Sequence, residues 1–391
     1  MELFEIFDLA LLLLGAKVCG AIFNKLRQPA LVGELLAGII LGSSILGIVK
    51  PSLIVNATSQ LGLIFLILLT SLAIDWKKIE DKAEMFSAIE LIMATLIFIG
   101  TYLIGGLLGW NIFTRIVIGV ALLQSSLAIA SRTLTNLGKL NTQEGETIIG
   151  FQVVDDIAAI LSIVIVANFL QNSSIGIEPI TKLFLIIVGF FVVMSRVGFK
   201  FINWLINSVQ KYGMEEALFG VTLVLAFLLA TVTEKLGMVS FLGVFLAGIL
   251  LSRTSQVNII SQKVKEVGET FFIPIFFASL GLGVNIFSAY QQFYLLIFFV
   301  IFTILLKWFS SSLPFMFFGF SRGESFKFGS GMTSLSEMSL IVLSLGLAAK
   351  VLNQALYSML IVGFVIINIL SPLIMNFVLK AELLFKKRRY W

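Results

Sequence analysis

An all-α, polytopic membrane protein is the fold class this sequence predicts, and three observations predict it. Of 391 residues, 59% are apolar and 13% charged, with mean hydropathy +1.05, whereas soluble domains run about 45–50% and about 25%. Apolar runs of bilayer-spanning length recur along the whole chain, broken by short polar or glycine-containing turns. Lys and Arg concentrate in alternate turns, as they do in cytoplasmic loops. This composition excludes a soluble enzyme, a disordered chain and a fibre. One cysteine, Cys19, and no histidine exclude a disulfide framework and thiolate or imidazole metal centres. No cofactor is called for, and any proton chemistry falls to carboxylates and lysines.

Thirteen helices are predicted, over about 3–24, 30–49, 58–75, 85–109, 112–137, 143–170, 178–208, 214–235, 238–252, 264–285, 288–319, 324–350 and 354–380. Gln28-Pro29 and Lys50-Pro51 mark two of the turns. The first run differs from a signal peptide, because Glu2, Glu5 and Asp8 replace a basic leader and no small-residue cleavage site follows. It reads as a retained helix. Alternate connections then hold very different charge. Lys25, Arg27, Lys77, Lys78, Lys82, Arg132, Lys139, Arg196 and the other cations of one set number twenty with the basic tail, 383–391. The opposite set holds five, namely Lys50, Arg115, Lys182, Lys235 and Lys350. A missed or invented helix would scramble that split. The expectation is an N-terminus outside and a C-terminus in the cytoplasm of a multi-pass cell-membrane protein.

An internal repeat organises the chain. LRQPALVGELLAGIILG at 26–42 returns as LGMVSFLGVFLAGILLS at 236–252, displaced by 210. Near the end of each half, Gly150-Phe151 leading to Asp155 returns as Gly363-Phe364 leading to Asn368, displaced by 213. Six helices bring a half back to the side where it began, and one linker helix (178–208) starts the next half on the other side. The halves, 1–177 and 209–382, are therefore expected to be inverted, as in many secondary transporters.

Ionisable side chains within membrane helices cost about 2.5–3.5 kcal/mol on insertion scales and mark function by default. Five stand out here, Glu34, Asp155, Asp156, Lys307 and Glu337. Asp155 and Asp156 lie in FQVVDDIAAIL on the sixth helix. Adjacent residues point about 100° apart on a helix, so the two carboxylates take different roles and split their proton affinities. Such a pair binds a desolvated cation when ionised and releases it when protonated. Lys307, in IFTILLKWFSSSLP on the eleventh helix, needs a carboxylate to keep its charge, and an aspartate of the sixth helix is the natural partner. GVALLQSSLAIAS (119–131) and GSGMTSLSEMSL (329–340) are polar, glycine-containing centres at matching places in the two halves. They predict interrupted helices that expose Ser125, Ser126, Thr333 and Ser334 to a cavity, with Glu337 at a half-helix N-terminus that favours negative charge. Glu34, beside Gly33, reads first as an interfacial or packing group. An intramembrane aspartyl protease also uses two membrane aspartates, but from separate helices facing one water, and it leaves the repeat without a reason. A channel leaves the acidic site at mid-membrane without one.

RQPALVGELLAGIILG (27–42), SSLAIASRTLTNLG (125–138), VVDDIAAIL (153–161) and Lys307 together resemble the prokaryotic monovalent cation:proton antiporters, in the branch of NapA, NhaA, GerN and the Kef potassium systems. The resemblance covers essentially the whole chain and is closest to NapA. It implies a transporter rather than an enzyme, exchanging Na⁺ or Li⁺ (or K⁺, as in Kef and GerN) for H⁺ by alternating access. It implies a homodimer, with a core domain from about 85–170 and 288–380 moving against a dimerisation domain from about 3–75 and 214–285. Asp156 becomes the principal Na⁺ and proton site, Asp155 the partner of Lys307, and the lysine a mark of electrogenic members. Two stretches depart from the pattern. Leu335 stands where relatives carry an arginine before the Glu337 position, and Ser71-Leu72-Ala73-Ile74 replaces a common Gly-Leu-Glu. Nothing marks nucleic-acid binding, and the chain ends about 11 residues after the last helix without the GxGxxG fingerprint of a nucleotide domain.

Overall fold

The computed structural model describes residues 3–74, 82–172, 189, 193–211 and 217–386 and contains no strand among them. Lys77 and Lys78, Lys182, the first part of the expected linker helix (178–188 and 190–192) and the tail from 387 lie outside the described residues.

A first hairpin pairs α1 (Leu3–Lys25) with α2 (Ala30–Leu41), and α3 (Leu53–Leu72) follows. The expected third helix begins five residues earlier than its hydrophobic pattern, because the Ser52 hydroxyl accepts from Val55 N and caps it. Then come α4 (Ala83–Leu107), the short α5 (Ile112–Leu123) and α6 (Leu127–Asn136), and the long α7 (Gln143–Asn172). A π-turn at Met194–Gly198 leads into α8 (Phe199–Lys211). The second hairpin is α9 (Ala217–Lys235) with α10 (Ser240–Ser252). Next, α11 (Val257–Val267) passes through a π-turn at Gly268–Phe272 into α12 (Ile273–Leu282). Pro274 sits in the first turn of α12 and has no N–H for the carbonyl one turn back, which loosens the helix just there. A six-residue α13 (Ile286–Gln291) precedes α14 (Phe293–Phe317), so the expected eleventh helix is two pieces. The chain continues through α15 (Arg322–Gly331), α16 (Glu337–Ala348) and α17 (Gln354–Lys386). Counting α5 and α6 as one interrupted span, eight of the described helices are long and apolar enough to cross a membrane, and α2, α10 and α16 are shorter apolar helices.

Packing falls into two groups. Helices α1–α3 and α9–α12 pack on one another, while α4–α7 and α14–α17 pack on one another. Glycines set the closest approaches of the first group. A Cβ at Gly33 would meet the backbone of Cys19 and Gly20, and one at Gly243 the backbone of Leu229 and Ala230. Gly38 lies against Ala278 and Gly281, and Gly248 against Leu68 and Ser71. Every position in these pairs has its counterpart 210 residues away, with first-half helices meeting second-half ones in the latter set. Apolar side chains of α7 (Val164, Ala167) join Leu242 and Leu246 of α10 where the two groups touch.

Candidate ion-binding site

Two interrupted helices build the site. α5 stops at Leu123, Gln124 and Ser126 take extended backbone angles, and α6 starts again with Ser126 as its cap, accepting from Ile129 N. α15 stops at Gly331 and α16 restarts behind Ser336, which caps it by accepting from Met338 N. Runs of Ser and Thr favour such restarts, since each hydroxyl satisfies one of the N–H groups that a helix start leaves open. The interruptions lie against each other and complete each other's hydrogen bonds. Ser336 N donates to Gln124 O at 3.2 Å, Ser126 N to the Ser334 hydroxyl at 3.1 Å, and the Ser125 hydroxyl to Met332 O at 3.3 Å. Gln152, one turn before Asp156, bridges them by donating to Ser126 O and Gly331 O.

The two aspartates face different surroundings. Asp155 is fully buried, and its Oδ2 accepts from Ser125 N at 2.7 Å while Oδ1 has no partner. Asp156 instead lines a cavity of about 610 Å³ together with Lys17, Glu34, Arg132, Glu269 and Glu337. Glu337 is the first residue of α16, as the sequence predicts, and one of its carboxyl oxygens is buried without a partner. Glu34 is 8% exposed and on the cavity wall; the packing role expected of it is thus joined by a place beside the site. At the mouth, Arg132 of α6 donates to Asn24 Oδ1 at 2.7 Å and to the carbonyls of Asn24 and Gln28.

Lys307 closes the first interruption. Its ammonium is fully buried, but it does not bond Asp155 directly. Nζ donates to the carbonyls of Leu122 (2.8 Å), Leu123 (3.2 Å) and Gln124 (3.0 Å) and lies 3.2 Å from the Ser125 hydroxyl. These carbonyls close the C-terminal end of α5, where the half-helix dipole is negative and welcomes a cation. Asp155 and Lys307 therefore meet through Ser125, one at its N–H and the other at its hydroxyl. Thr333 shares a 2.6 Å hydrogen bond with Ser371 of α17, so it braces the second interruption from behind. The family described as sodium/hydrogen exchanger, transmembrane, matches residues 11–381 of this chain.

The chain belongs to the sodium/hydrogen exchanger family. It is similar to the probable Na⁺/H⁺ antiporter GerT of Bacillus cereus, 29% identical over 91% of this chain and 94% of that one. The Na⁺/H⁺-K⁺ antiporter GerN of the same organism is 26% identical over 98% of both chains. A Na⁺/H⁺ antiporter of Enterococcus hirae is 29% identical over 95% and 97%. In fold, the chain resembles the sodium proton antiporter MjNhaP1 of Methanocaldococcus jannaschii, with TM-score 0.76 over 97% of each chain at 15% identity. As a member of this exchanger family it is a multi-pass membrane transporter of cations and protons, and not an enzyme.

Sequence reasoning missed three polar groups that this exchanger's site gathers. Gln152 is readable as an amide one turn from the aspartates. Lys17 and Glu269 come from α1 and the π-turn, and only the folded cavity places them beside Asp156. A fourth, Glu90 of α4, is buried; it meets the same test of membrane depth that singles out Asp155.

Proposed function

We propose that this exchanger moves Na⁺ (or Li⁺) inward or outward against H⁺ across the cell membrane by alternating access, electrogenically, in the service of ion and pH homeostasis. One observation carries the reading. Asp156 is open to the large cavity, while its neighbour Asp155 is closed off at the interrupted helix. A carboxylate that a hydrated cation can reach, on a cavity wall shared with Glu34 and Glu337, offers the oxygen ligands that a hard monovalent cation takes. Protonating Asp156 removes the charge that holds the cation, which makes one site serve both ions in turn. Asp155 and Lys307 set the position of the α5 end and the charge count of the cycle.

Thirteen spans follow if α2, α10, the α11–α12 run, the α15–α16 pair and the helix ending in α8 join the eight long apolar helices. The 210-residue spacing of the glycine contacts supports two inverted six-helix repeats joined by a linker helix, with the interruptions crossing at the pseudo-twofold axis. The two packing groups support a core domain carrying the site and a dimerisation domain in a homodimer. With the N-terminus outside, the turn between α1 and α2 and the basic tail are cytoplasmic, and the cavity at Asn24, Arg132 and Asp156 opens inward. A second reading, K⁺/H⁺ exchange, is favoured by the likeness to GerN, whose name includes K⁺.

Transport in proteoliposomes tests both readings, with Na⁺, Li⁺ and K⁺ offered in turn against an imposed pH gradient. Proton movement with Na⁺ or Li⁺ is expected, and it is abolished in Asp156→Asn protein that still inserts. Full activity in that variant overturns the assignment of Asp156; movement with K⁺ alone overturns the Na⁺ reading.

A further inference from the structure

A basic pocket lies beside the acidic cavity. It has a volume of about 280 Å³ and takes Arg27 and Gln28 from the turn between α1 and α2, Arg132 and Asn136 from α6, and Asn376 and Lys380 from α17. No carboxylate lines it. Arg132 and Pro29 line both spaces and stand between them. Three cations thus share one pocket, Arg27 from the first packing group and Arg132 and Lys380 from the second. Among the described residues, none of the three has a carboxylate within ion-pair distance. The partners of Arg132, the Asn24 amide and the carbonyls of Asn24 and Gln28, are neutral, so its charge is held in place without being cancelled.

The turn that carries Arg27 has a twin. Leu26 N donates to Ile22 O, Arg27 N to Asn24 O and Gln28 N to Phe23 O. In the second half, Leu236 N donates to Val232 O, Gly237 N to Glu234 O and Met238 N to Thr233 O, the same bonds 210 residues on. The central position is left-handed in both, with φ +61° at Arg27 and +77° at Gly237. Glycine takes that angle freely, whereas an arginine Cβ opposes it. The twin closes its helix without a cation, so the turn itself does not call for one. What arginine adds here is positive charge at the pocket.

Depth narrows the chemistry. The apolar spans Glu5–Lys25, Ile112–Asn136 and Gln354–Lys380 all end at this pocket, which sets it at the level of phospholipid headgroups. Uncancelled cations at that level attract phosphate, and the guanidinium fork matches its oxygens. We propose that the pocket is an oxyanion site that takes a phosphate group, from an anionic phospholipid headgroup or from free phosphate, and that the bound group ties the α1–α2 turn to α6 and α17. Such binding is independent of which cation the protein carries.

Binding is read on the full chain in detergent at low salt, by native mass spectrometry and by unfolding temperature, with phosphatidylglycerol, phosphatidylcholine and inorganic phosphate as probes. Wild type is expected to bind phosphatidylglycerol or inorganic phosphate in preference to phosphatidylcholine, and to unfold at a higher temperature with it. Arg27→Gly and Lys380→Gln are each expected to weaken that binding about fivefold, and the double variant more than tenfold. Arg27→Gly relieves the left-handed arginine and is expected to unfold, without any probe, at or above the wild-type temperature, so its weaker binding is not a folding defect. Arg27→Lys keeps the charge and is expected to bind nearly as wild type does. Inorganic phosphate that stabilises wild type and not the double variant assigns the site to the free anion; phosphatidylglycerol alone doing so assigns it to the headgroup. Equal binding of the two lipids with no effect of phosphate overturns the proposal, as does a double variant that binds phosphatidylglycerol and phosphate as tightly as wild type.

Discussion

The two interrupted helices are built alike and finished differently. At the second, Asn368 of α17 reaches the unwound backbone with both ends of its amide, accepting from Leu335 N at 2.8 Å and donating to Leu335 O at 3.0 Å. At the first, the corresponding residue is Asp155, which accepts from Ser125 N and has nothing to donate. An amide closes its segment by itself, as a neutral brace. A carboxylate satisfies only the N–H, leaves Oδ1 without a partner, and leaves the α5 carbonyls to Lys307. A neutral amide holds the second interruption; a carboxylate and an ammonium hold the first. Leu335 fits this contrast, because its backbone is already satisfied by Asn368 and its side chain is buried in the apolar core.

Making the charged crossing resemble the neutral one is the most damaging way to probe the difference. Asp155→Asn keeps the acceptor for Ser125 N and adds a donor, so the protein should insert and fold. Exchange should fall by tenfold or more, measured as initial rate in proteoliposomes, since Lys307 loses the charge that shares Ser125 with it. A wild-type rate in this variant would mean that the two crossings do not differ in function.

Lys307→Gln comes next in expected size and reads the charge count. One elementary charge is worth about 2.3 kcal/mol per 100 mV of membrane potential, so a cycle that moves two protons for one cation responds strongly to voltage. On a supported membrane, wild type should give a cation-driven current, and the Gln variant should exchange ions with that current strongly reduced. Exchange without current in wild type would contradict electrogenic transport, and equal currents would make Lys307 a structural residue only.

The reverse substitution probes the neutral joint. Asn368→Asp keeps the bond from Leu335 N but orphans Leu335 O and buries a charge with no lysine at hand. A loss of stability of about 1–3 kcal/mol is expected, seen as a lower unfolding temperature in detergent. Smallest of all should be Ser371→Ala, which removes the hydroxyl partner of Thr333; Thr333 retains its bond to Ser330 O, so about 1 kcal/mol or less is expected. A larger loss at Ser371 than at Asn368 would reverse the ranking.

Much of the site is legible in the amino-acid sequence. Asp155-Asp156 in an apolar helix, Lys307 among long apolar runs and the serine-rich centres at 125 and 334 each violate the composition of a membrane helix, and each lies at the site. The family follows from the same residues. Contact across helices is what the sequence does not carry. No pattern in the chain says that Lys307 reaches carbonyls of α5 in preference to Asp155, because the carbonyls become available only when Gln124 turns out of the helix. Lys17 and Glu269 are likewise unremarkable in sequence and meet Asp156 only through the packing of α1 and α12 on α2.

The central claim is that Asp156 holds the cation and the proton in turn, and competition measures it most directly. Exchange is recorded against pH at several Na⁺ concentrations, in wild type and in Asp155→Asn as a variant that keeps Asp156. Raising Na⁺ should move the half-maximal pH steadily to the acid side in both, because the cation displaces the proton from a shared carboxylate. A half-maximal pH indifferent to Na⁺ concentration would contradict the account, since proton and cation would then occupy separate sites.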